Sequence, residues 1–304
     1  LSGTIEYYNK YSVDLLAAIN GSPTQGFGYT TLMTNNGKMV NRGVEITLSG
    51  EIIRQKDFSW NASLLYAFNR NKVKHISVQP SLWDSRISMP TSYPMVGKPL
   101  YGIYAYKWAG LNENGDPQVY DAENNVTSGP ARDYHALVYC GTTVPIHNAS
   151  LTNVLRYKGF EFSAMLILDA GHKLRSSNIP SINMSNGRIT STAKGIVDRW
   201  TQPGDVTDVP RLLFSNDTEN FNTHRTELYR YSDLFVYDAS NIRLSNISLA
   251  YRVPAHWCKK ISLSGARLQF NVENVATFAF DSKANYDLGG KVKPNYVWGL
   301  YLNF

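Results

Sequence analysis

Several stretches of the chain alternate apolar and polar residues with period two, the pattern of strands with one apolar face. The clearest is a hairpin. Val44, Ile46, Leu48 and Ile52 alternate with Glu45, Thr47, Ser49 and Glu51. After a polar turn at Arg54–Asp57, the residues Phe58, Trp60, Ala62, Leu64, Tyr66 and Phe68 alternate with Ser59, Asn61, Ser63 and Asn69. Aromatic residues stand at both ends of that apolar face, with small aliphatic residues between. The run is about ten residues long, which suits a tilted bilayer crossing, whereas sandwich strands average about five or six.

The same scheme recurs. Leu151–Tyr157 leads through a tight Lys158-Gly159 turn into Phe160, Phe162, Ala164, Leu166 and Leu168, alternating with Glu161, Ser163, Met165 and Ile167. A third hairpin runs from Ile242 to Val253, turns through Pro254–Ser264, and returns with Leu268, Phe270 and Val272 against Arg267, Gln269, Asn271 and Glu273. The apolar parity slips between Leu244 and Ile247, which predicts a bulge near Ser245-Asn246. At the front, Thr4 to about Leu16 reads as a strand, followed by a Gly/Asn/Thr-rich loop through Arg42. The last nine residues place Tyr296, Trp298, Leu300, Leu302 and Phe304 on one face of a final strand.

The connections alternate in length. Short turns at 54–57 and 158–159, and a moderate one at 254–264, separate long segments at 17–42, 70–147, 169–241 and 276–293. Short turns on one side and long loops on the other are the pattern of an antiparallel transmembrane β-barrel, the short turns periplasmic and the long loops extracellular. The parity gives eight strands. Gly97–Leu111 would raise the number to ten if it found a partner strand before Asn148. Two other readings stay open at this stage: a self-contained small barrel, such as an autotransporter or adhesin anchor, and a soluble β-sandwich binding module.

Composition favours the membrane reading. Charged residues are 18% of the chain, below the ~25% usual in soluble domains, and tyrosine reaches 20 residues. The mean hydropathy is −0.30, and no run approaches the ~18 apolar residues that a spanning helix needs. The net charge of +6 comes without a Lys/Arg cluster dense enough for nucleic acid; Lys259-Lys260 reads as a solvated turn. Cys140 and Cys258, the two cysteines, fall near opposite ends of the strand pattern and have no metal-ligand spacing.

No arrangement of residues suggests catalysis, a cofactor or a metal centre, and the chain does not read as an enzyme. The six histidines are scattered, and Asp169 with His172 fits ordinary loop-edge polarity. The run Asn112-Glu-Asn-Gly-Asp-Pro117, followed by Asp121, Glu123 and Asn124, has the oxygen density of a calcium loop but not its order; a Gly/Asn turn explains it as well. The sequons at Asn61 and Asn246 fall inside predicted strands. In the long loops, Trp83, Trp108, Trp200, Tyr229 and Tyr231 are candidate substrate contacts by stacking, or else pack the loops together.

Five stretches, in order, resemble the C-terminal part of SusC/RagA-type TonB-dependent outer-membrane transporters. They are Asn35-Asn-Gly-Lys-Met-Val-Asn-Arg-Gly-Val-Glu-Ile46; Asp57-Phe-Ser-Trp60 with Asn69-Arg-Asn-Lys-Val73; Val96-Gly-Lys-Pro-Leu100 with Gly110-Leu-Asn-Glu-Asn-Gly-Asp-Pro117; Arg199-Trp-Thr-Gln-Pro-Gly-Asp205; and Tyr237–Tyr251 with Asn271-Val-Glu-Asn-Val275 and the terminal strand. Two departures stand out. Ser240-Asn241 replaces a common Ser-Tyr, and Asp281-Ser-Lys-Ala284 replaces a common Asp-Pro-Glu in an outward-facing loop.

The resemblance implies that residues 1–304 are the C-terminal portion of a barrel of about 22 strands, without its plug domain and earlier strands. It further implies an importer in the outer membrane, energised by the TonB complex. Its partners would be a SusD/RagB-type surface lipoprotein, outer-membrane lipids, and an oligosaccharide or peptide substrate. Tyr296, Trp298, Leu300, Leu302 and Phe304 would form the strand that the barrel-assembly machinery reads.

Overall fold

The computed structural model describes residues 1–20, 24, 31–78, 85–129, 133–185, 188–193, 195–212, 223–289 and 293–304. The strands are, in order, β1 (Ser2–Asn20), β2 (Thr31–Arg54), β3 (Phe58–His75), β4 (Gly102–Tyr106), β5 (Trp108–Leu111) and β6 (Pro117–Tyr120). Then come β7 (Val126–Thr127), β8 (Leu137–Thr142), β9 (His147–Tyr157), β10 (Phe160–Ala170), β11 (Lys173–Arg175) and β12 (Ile182–Ser185). The last are β13 (Arg188–Thr192), β14 (Val236–Asp238), β15 (Asn241–Arg252), β16 (Gly265–Ala279) and β17 (Asn295–Asn303).

Eight long strands form one antiparallel sheet in the order β1-β2-β3-β9-β10-β15-β16-β17. Its ladders fix which side chains share a face. One transverse row is Leu48, Leu64, Leu151, Leu166, Leu244 and Ala276. Towards the short turns lie the rows Phe58, Tyr157, Phe160, Tyr251, Leu268, Leu300 and Trp60, Leu155, Phe162, Leu249, Phe270, Trp298. Towards the long loops, Tyr66 and Phe278 lie one row above the leucines, and Phe68 one row higher. This face is therefore an aliphatic band between two aromatic girdles. The eight residue steps from Phe160 to Leu168 cover about 27 Å along the strand, which tilt brings close to a hydrocarbon thickness.

The opposite face is mixed, with most of the wall's polar groups beside Leu65, Val154, Met165 and Ile167. It carries Ser49, Ser63 and Thr152 in one row, Ser163, Ser248 and Asn271 in another. Its groups bond one another: Ser49 Oγ lies 2.8 Å from Ser63 Oγ, and Glu161 accepts from Arg156 at 2.8 Å and from Arg267 at 3.2 Å. A lipid face and a lumen face on one layer of sheet account for the alternation read from the sequence. The layer buries little: the described buried hydrophobic core lies mostly outside it.

The bulge is where the parity slip puts it. Met165 opposes Asn246 while the next residue, Leu166, opposes Leu244, so Ser245 is extra. On the other side, Leu244 faces Ala276 and Asn246 faces Glu273, leaving two β16 residues against Ser245; one of them, Asn274, takes a positive φ of 53°. The loop expected at 17–42 is shorter than that. β1 continues to Asn20 and β2 begins at Thr31, the two pairing from Asn20↔Thr31 downward. Beyond the bilayer neither face must be apolar, so Thr34-Asn-Asn-Gly-Lys38 shows no alternation while its backbone ladder continues.

Before β9, the described residues from Gly97 onward add no strand to the wall. β4 pairs with β8, and β5, β6 and β7 form a separate three-stranded sheet. Among the described residues the wall thus has eight strands, and its outer strands β1 and β17 each pair on one side only. Neither a closed small barrel nor two packed sheets describes it.

One glycine of the Asn41-Arg-Gly-Val-Glu45 stretch has a steric reason. A Cβ on Gly43 would stand 2.4 Å from the Tyr8 ring and 2.5 Å from the Phe68 carbonyl oxygen, so the ring covers a bare backbone. Gly43→Ala is expected to cost about 1–3 kcal/mol by overpacking, read as a lower urea midpoint of the refolded transporter, whereas Gly265→Ala, whose Cβ would meet nothing nearer than 3.5 Å, should leave it unchanged.

Candidate functional site

The long connections of the wall pack into a cap. Its core is Tyr104, Tyr106, Val119, Ala136, Leu137 and Leu228, all nearly inaccessible, with Trp108, Tyr139 and Tyr231 against it. β4 delivers the tyrosines, β6 the valine, and the helix Thr223–Arg230 the leucine. β11 and β14 pair to bring the ends of the 169–241 connection together. Hydrogen bonds from the backbone of 106–108 close the assembly: Tyr106 N–H donates to the Tyr231 carbonyl at 3.0 Å, and Trp108 N–H to the side-chain Oδ1 of Asp233 at 2.9 Å.

An ion-paired latch joins three parts of the cap. Arg211 donates Nε and Nη2 to the two oxygens of Asp116, each at 3.1 Å, and Arg225 Nε donates to Asp116 Oδ1 at 2.6 Å. Burial alone would raise the Asp116 carboxyl, but the hydrogen bonds and charges of the two guanidiniums outweigh it and hold it below the usual carboxylate range. Asp116 is therefore committed to arginine. Its turn is closed by Asn112 Oδ1, which accepts from Asn114 N–H and Asp116 N–H at 2.9 Å, the Gly/Asn turn reading. Gly115 takes φ +74°, and the Trp200 ring lies where its Cβ would be, at 2.4 Å. Among the described residues no group of three or more His, Cys, Asp and Glu side chains is placed to hold a metal ion.

Two cavities open in the cap. One, of about 630 Å³, is lined by Arg175, Arg225, Arg230, Tyr229 and Tyr231 among others. Arg175 donates to the carbonyls of Tyr104, Arg230 and Ser232, and lies with Arg230 over the Tyr231 ring. The other, of about 740 Å³, is lined by Trp200, Asn112, Asn114 and Asp205. Asp205 holds its own turn, accepting from Thr201 and Gln202, bonds that lower its carboxyl.

The aromatic candidates divide between these surroundings. Trp83 lies outside the described residues. Trp108 packs on Tyr229 with ring centroids 5.7 Å apart and donates its indole N–H to Asp208 at 3.0 Å. Tyr229 is buried against Phe235, and burial, then Asp208 and Tyr237, raises its hydroxyl far above the ordinary tyrosine range. Tyr231 and Trp200 each border a cavity. The arginines were invisible in sequence, since Arg211 and Arg225 lie 95 and 109 residues from their carboxylate.

The departures also find places. Asn241, buried, donates its side-chain N–H to the Ala239 carbonyl at 2.9 Å, and Asp281 caps a short helical turn through Lys283 N–H at 2.9 Å. Asp238 accepts from Lys173 at 3.0 Å; burial would raise it, but Ser240 and Lys173 bring it down to about 2.

Both cysteines are free thiols, Cys140 in the cap and Cys258 buried in the helical turn between β15 and β16. Burial, then Asp233, pushes the Cys140 thiol up to about 11, so it is a weak nucleophile at neutral pH. Labelling of the folded protein at pH 7.5 with iodoacetamide should be at least tenfold slower at Cys140 than in the urea-unfolded chain; equal rates by mass spectrometry would contradict this.

A one-layered antiparallel wall, with a girdled apolar face, a mixed face and a packed cap at one end, defines part of an outer-membrane β-barrel. Over most of its length the chain is similar to proteins named TonB-dependent receptors, SusC among them, and its fold matches that of a chain of the RagAB transporter. It is 24% identical to TonB-dependent receptor P3 of Formosa agariphila over 98% of the chain and 30% of that receptor. To TonB-dependent receptor SusC of Bacteroides thetaiotaomicron it is 23% identical over 90% of the chain and 26% of that protein. It superposes on a chain of the RagAB peptide transporter with a TM-score of 0.72 at 21% identity, covering 99% of this chain and 33% of that one. No protein-family model matches the chain. The chain spans about a third or less of the length of these relatives.

Proposed function

We propose that residues 1–304 are the C-terminal barrel portion of an active importer, supplying eight wall strands, lumen polar groups and much of the outer cap. A plug domain and the remaining strands would come from elsewhere in the protein. The observation that carries the reading is the open wall: β1 and β17 expose unpaired backbone edges that lipid does not tolerate, so both require neighbouring strands. The names of the relatives, TonB-dependent receptors and a peptide transporter, support uptake energised through TonB. Likeness to SusC and RagAB supports a SusD/RagB-type lipoprotein partner over the cap, with the cap cavities as places where an oligosaccharide or peptide is held. Trp200 and Tyr231, which border the cap cavities, are the candidates best placed to touch it; Tyr229 lines the same cavity as Tyr231 but is largely buried, and Trp108 packs the cap. This chain needs no covalent chemistry for that role.

The test is uptake and capture with the whole transporter. Affinity purification from outer membranes should bring down a surface lipoprotein together with glycan or peptide, and uptake should cease when TonB is deleted. Uptake that persists without TonB would remove the mechanism.

We also assign β17 to barrel assembly, through its outward residues Tyr296, Trp298, Leu300, Leu302 and Phe304. Phe304→Ala should lower the amount of heat-modifiable barrel in outer membranes several-fold; an undiminished amount would remove this assignment.

A further inference from the structure

The lipid face changes character above its outer girdle. Phe68 pairs with Val44 there, and the next rows outward on the same face are Arg42 opposite Arg70 and Val40 opposite Lys72, with Lys74 two residues further along β3. Arg70, Lys72 and Lys74 lie about 7, 13 and 20 Å beyond Phe68 along the strand, the level of the outer-leaflet headgroups and sugars. The β1 residues on these rows are uncharged: Tyr7 opposite Val44, Asn9 opposite Arg42 and Tyr11 opposite Val40.

Among the described residues none of the four cations has a carboxylate partner within ion-pair distance; Arg42 donates to Asn9 Oδ1 at 3.1 Å. Two arginines directly opposite one another repel, a cost that persists unless an anion lies between them. The cations rim a cleft of about 460 Å³ whose other lining includes Val40, Phe68, Gly97 and Pro99. The loop holds that side of the cleft through Gly97 N–H donating to the Val73 carbonyl and Val73 N–H to the Lys98 carbonyl, both at 2.9 Å. Phe68 and the girdled face lie beneath these cations, and Val40, Gly97 and Pro99 stand among them, which fits a molecule with acyl chains below and phosphates above. Guanidinium and ammonium groups together grip a phosphate.

We propose that this cleft binds a phosphorylated glycolipid of the outer leaflet, its phosphates held by Arg42, Arg70, Lys72 and Lys74 and its acyl chains lying along the girdled face below. The inference rests on the outer-membrane orientation of the wall and not on what the importer carries.

The test uses the complete transporter in detergent, incubated with bisphosphorylated lipid A, monophosphorylated lipid A or phosphatidylglycerol, and analysed by native mass spectrometry. Bisphosphorylated lipid A should be retained best, at least tenfold over phosphatidylglycerol. Arg42→Gln/Arg70→Gln/Lys72→Gln/Lys74→Gln should reduce that retention at least tenfold, while Lys259→Gln/Lys260→Gln, in the β15–β16 turn, should not. Heat-modifiable mobility checks that each variant is folded, and Arg70→Gln/Lys72→Gln, both exposed, serves if the fourfold variant is not. Undiminished retention by a folded variant overturns the proposal, as does equal retention of phosphatidylglycerol. Displacement of lipid A by millimolar inorganic phosphate also overturns it, marking a site for free phosphate instead. TonB-dependent uptake measured on the same variants reports separately on the transport reading.

Discussion

Arginine in place of Leu151 is expected to destabilise the folded barrel by about 2–4 kcal/mol, the cost of a cation near the middle of the lipid face. Leu151 stands between Leu64 and Leu166 in the aliphatic row, with aromatic girdles above and below it. A guanidinium there can reach water only by snorkelling past one of those girdles. The neighbouring substitution Ser150→Arg changes the same strand by the same group on the lumen face, opposite Leu65 and Ile167, where water is at hand. Urea titration of the complete transporter in lipid vesicles should show a lowered midpoint for Leu151→Arg and a shift of less than about 1 kcal/mol for Ser150→Arg. Equal shifts would mean that the two faces have been assigned wrongly.

Removing the Asp116 carboxylate should loosen the cap by about 3 kcal/mol, because it strands two partly buried guanidiniums. The side chains of Asp116, Arg211 and Arg225 are 21%, 23% and 14% exposed, so water can only partly replace the lost partner. Asp116→Ala should therefore speed hydrogen exchange in 112–120 and 223–231 while leaving the wall strands protected. The pH dependence follows from the direction of the shift. A carboxyl held below its unfolded value contributes stability above that value, near 4, and loses it as pH falls through the lower folded one. Exchange in 112–120 and 223–231 of the wild-type cap, corrected for intrinsic rates, should rise as acid is added below about pH 4, and Asp116→Ala should show a smaller rise there, the remainder coming from other cap carboxyls held low such as Asp205 and Asp238. The same exchange pattern in both proteins would show that the latch carries no load.

The wall was legible in the sequence because a membrane imposes a strict two-sided pattern. Every second residue from Phe58 to Phe68 and from Phe160 to Leu168 had to satisfy lipid, and even the Ser245 bulge left its mark as a change of parity. Where the bilayer ends the pattern ends with it, and the last residues of β1 and the upper half of β2 vanished into an apparent loop. The cap was illegible for a different reason. Its core joins Tyr104, Val119, Leu137 and Leu228 from segments far apart in sequence, none long enough to show a period. Asp116 drew attention as an oxygen donor, but nothing near it pointed to Arg211 and Arg225. The aromatic candidates had the same weakness: composition marks Trp108 and Tyr229 as notable without telling a packing residue from an exposed one.

The distribution of buried side chains has a thermodynamic consequence. The wall's stability comes from backbone pairing and from the solvent on its lipid face, whereas the cap is held by a water-excluded core and ion pairs, as an ordinary domain is. Agents that act on one need not act on the other. Thinning or exchanging the bilayer changes the work of keeping the girdles at their interfaces, while dilute denaturant or acid in the external water acts first on the cap. The molecule is thus expected to melt as two cooperative units, with the cap able to open and reclose on a barrel that stays assembled.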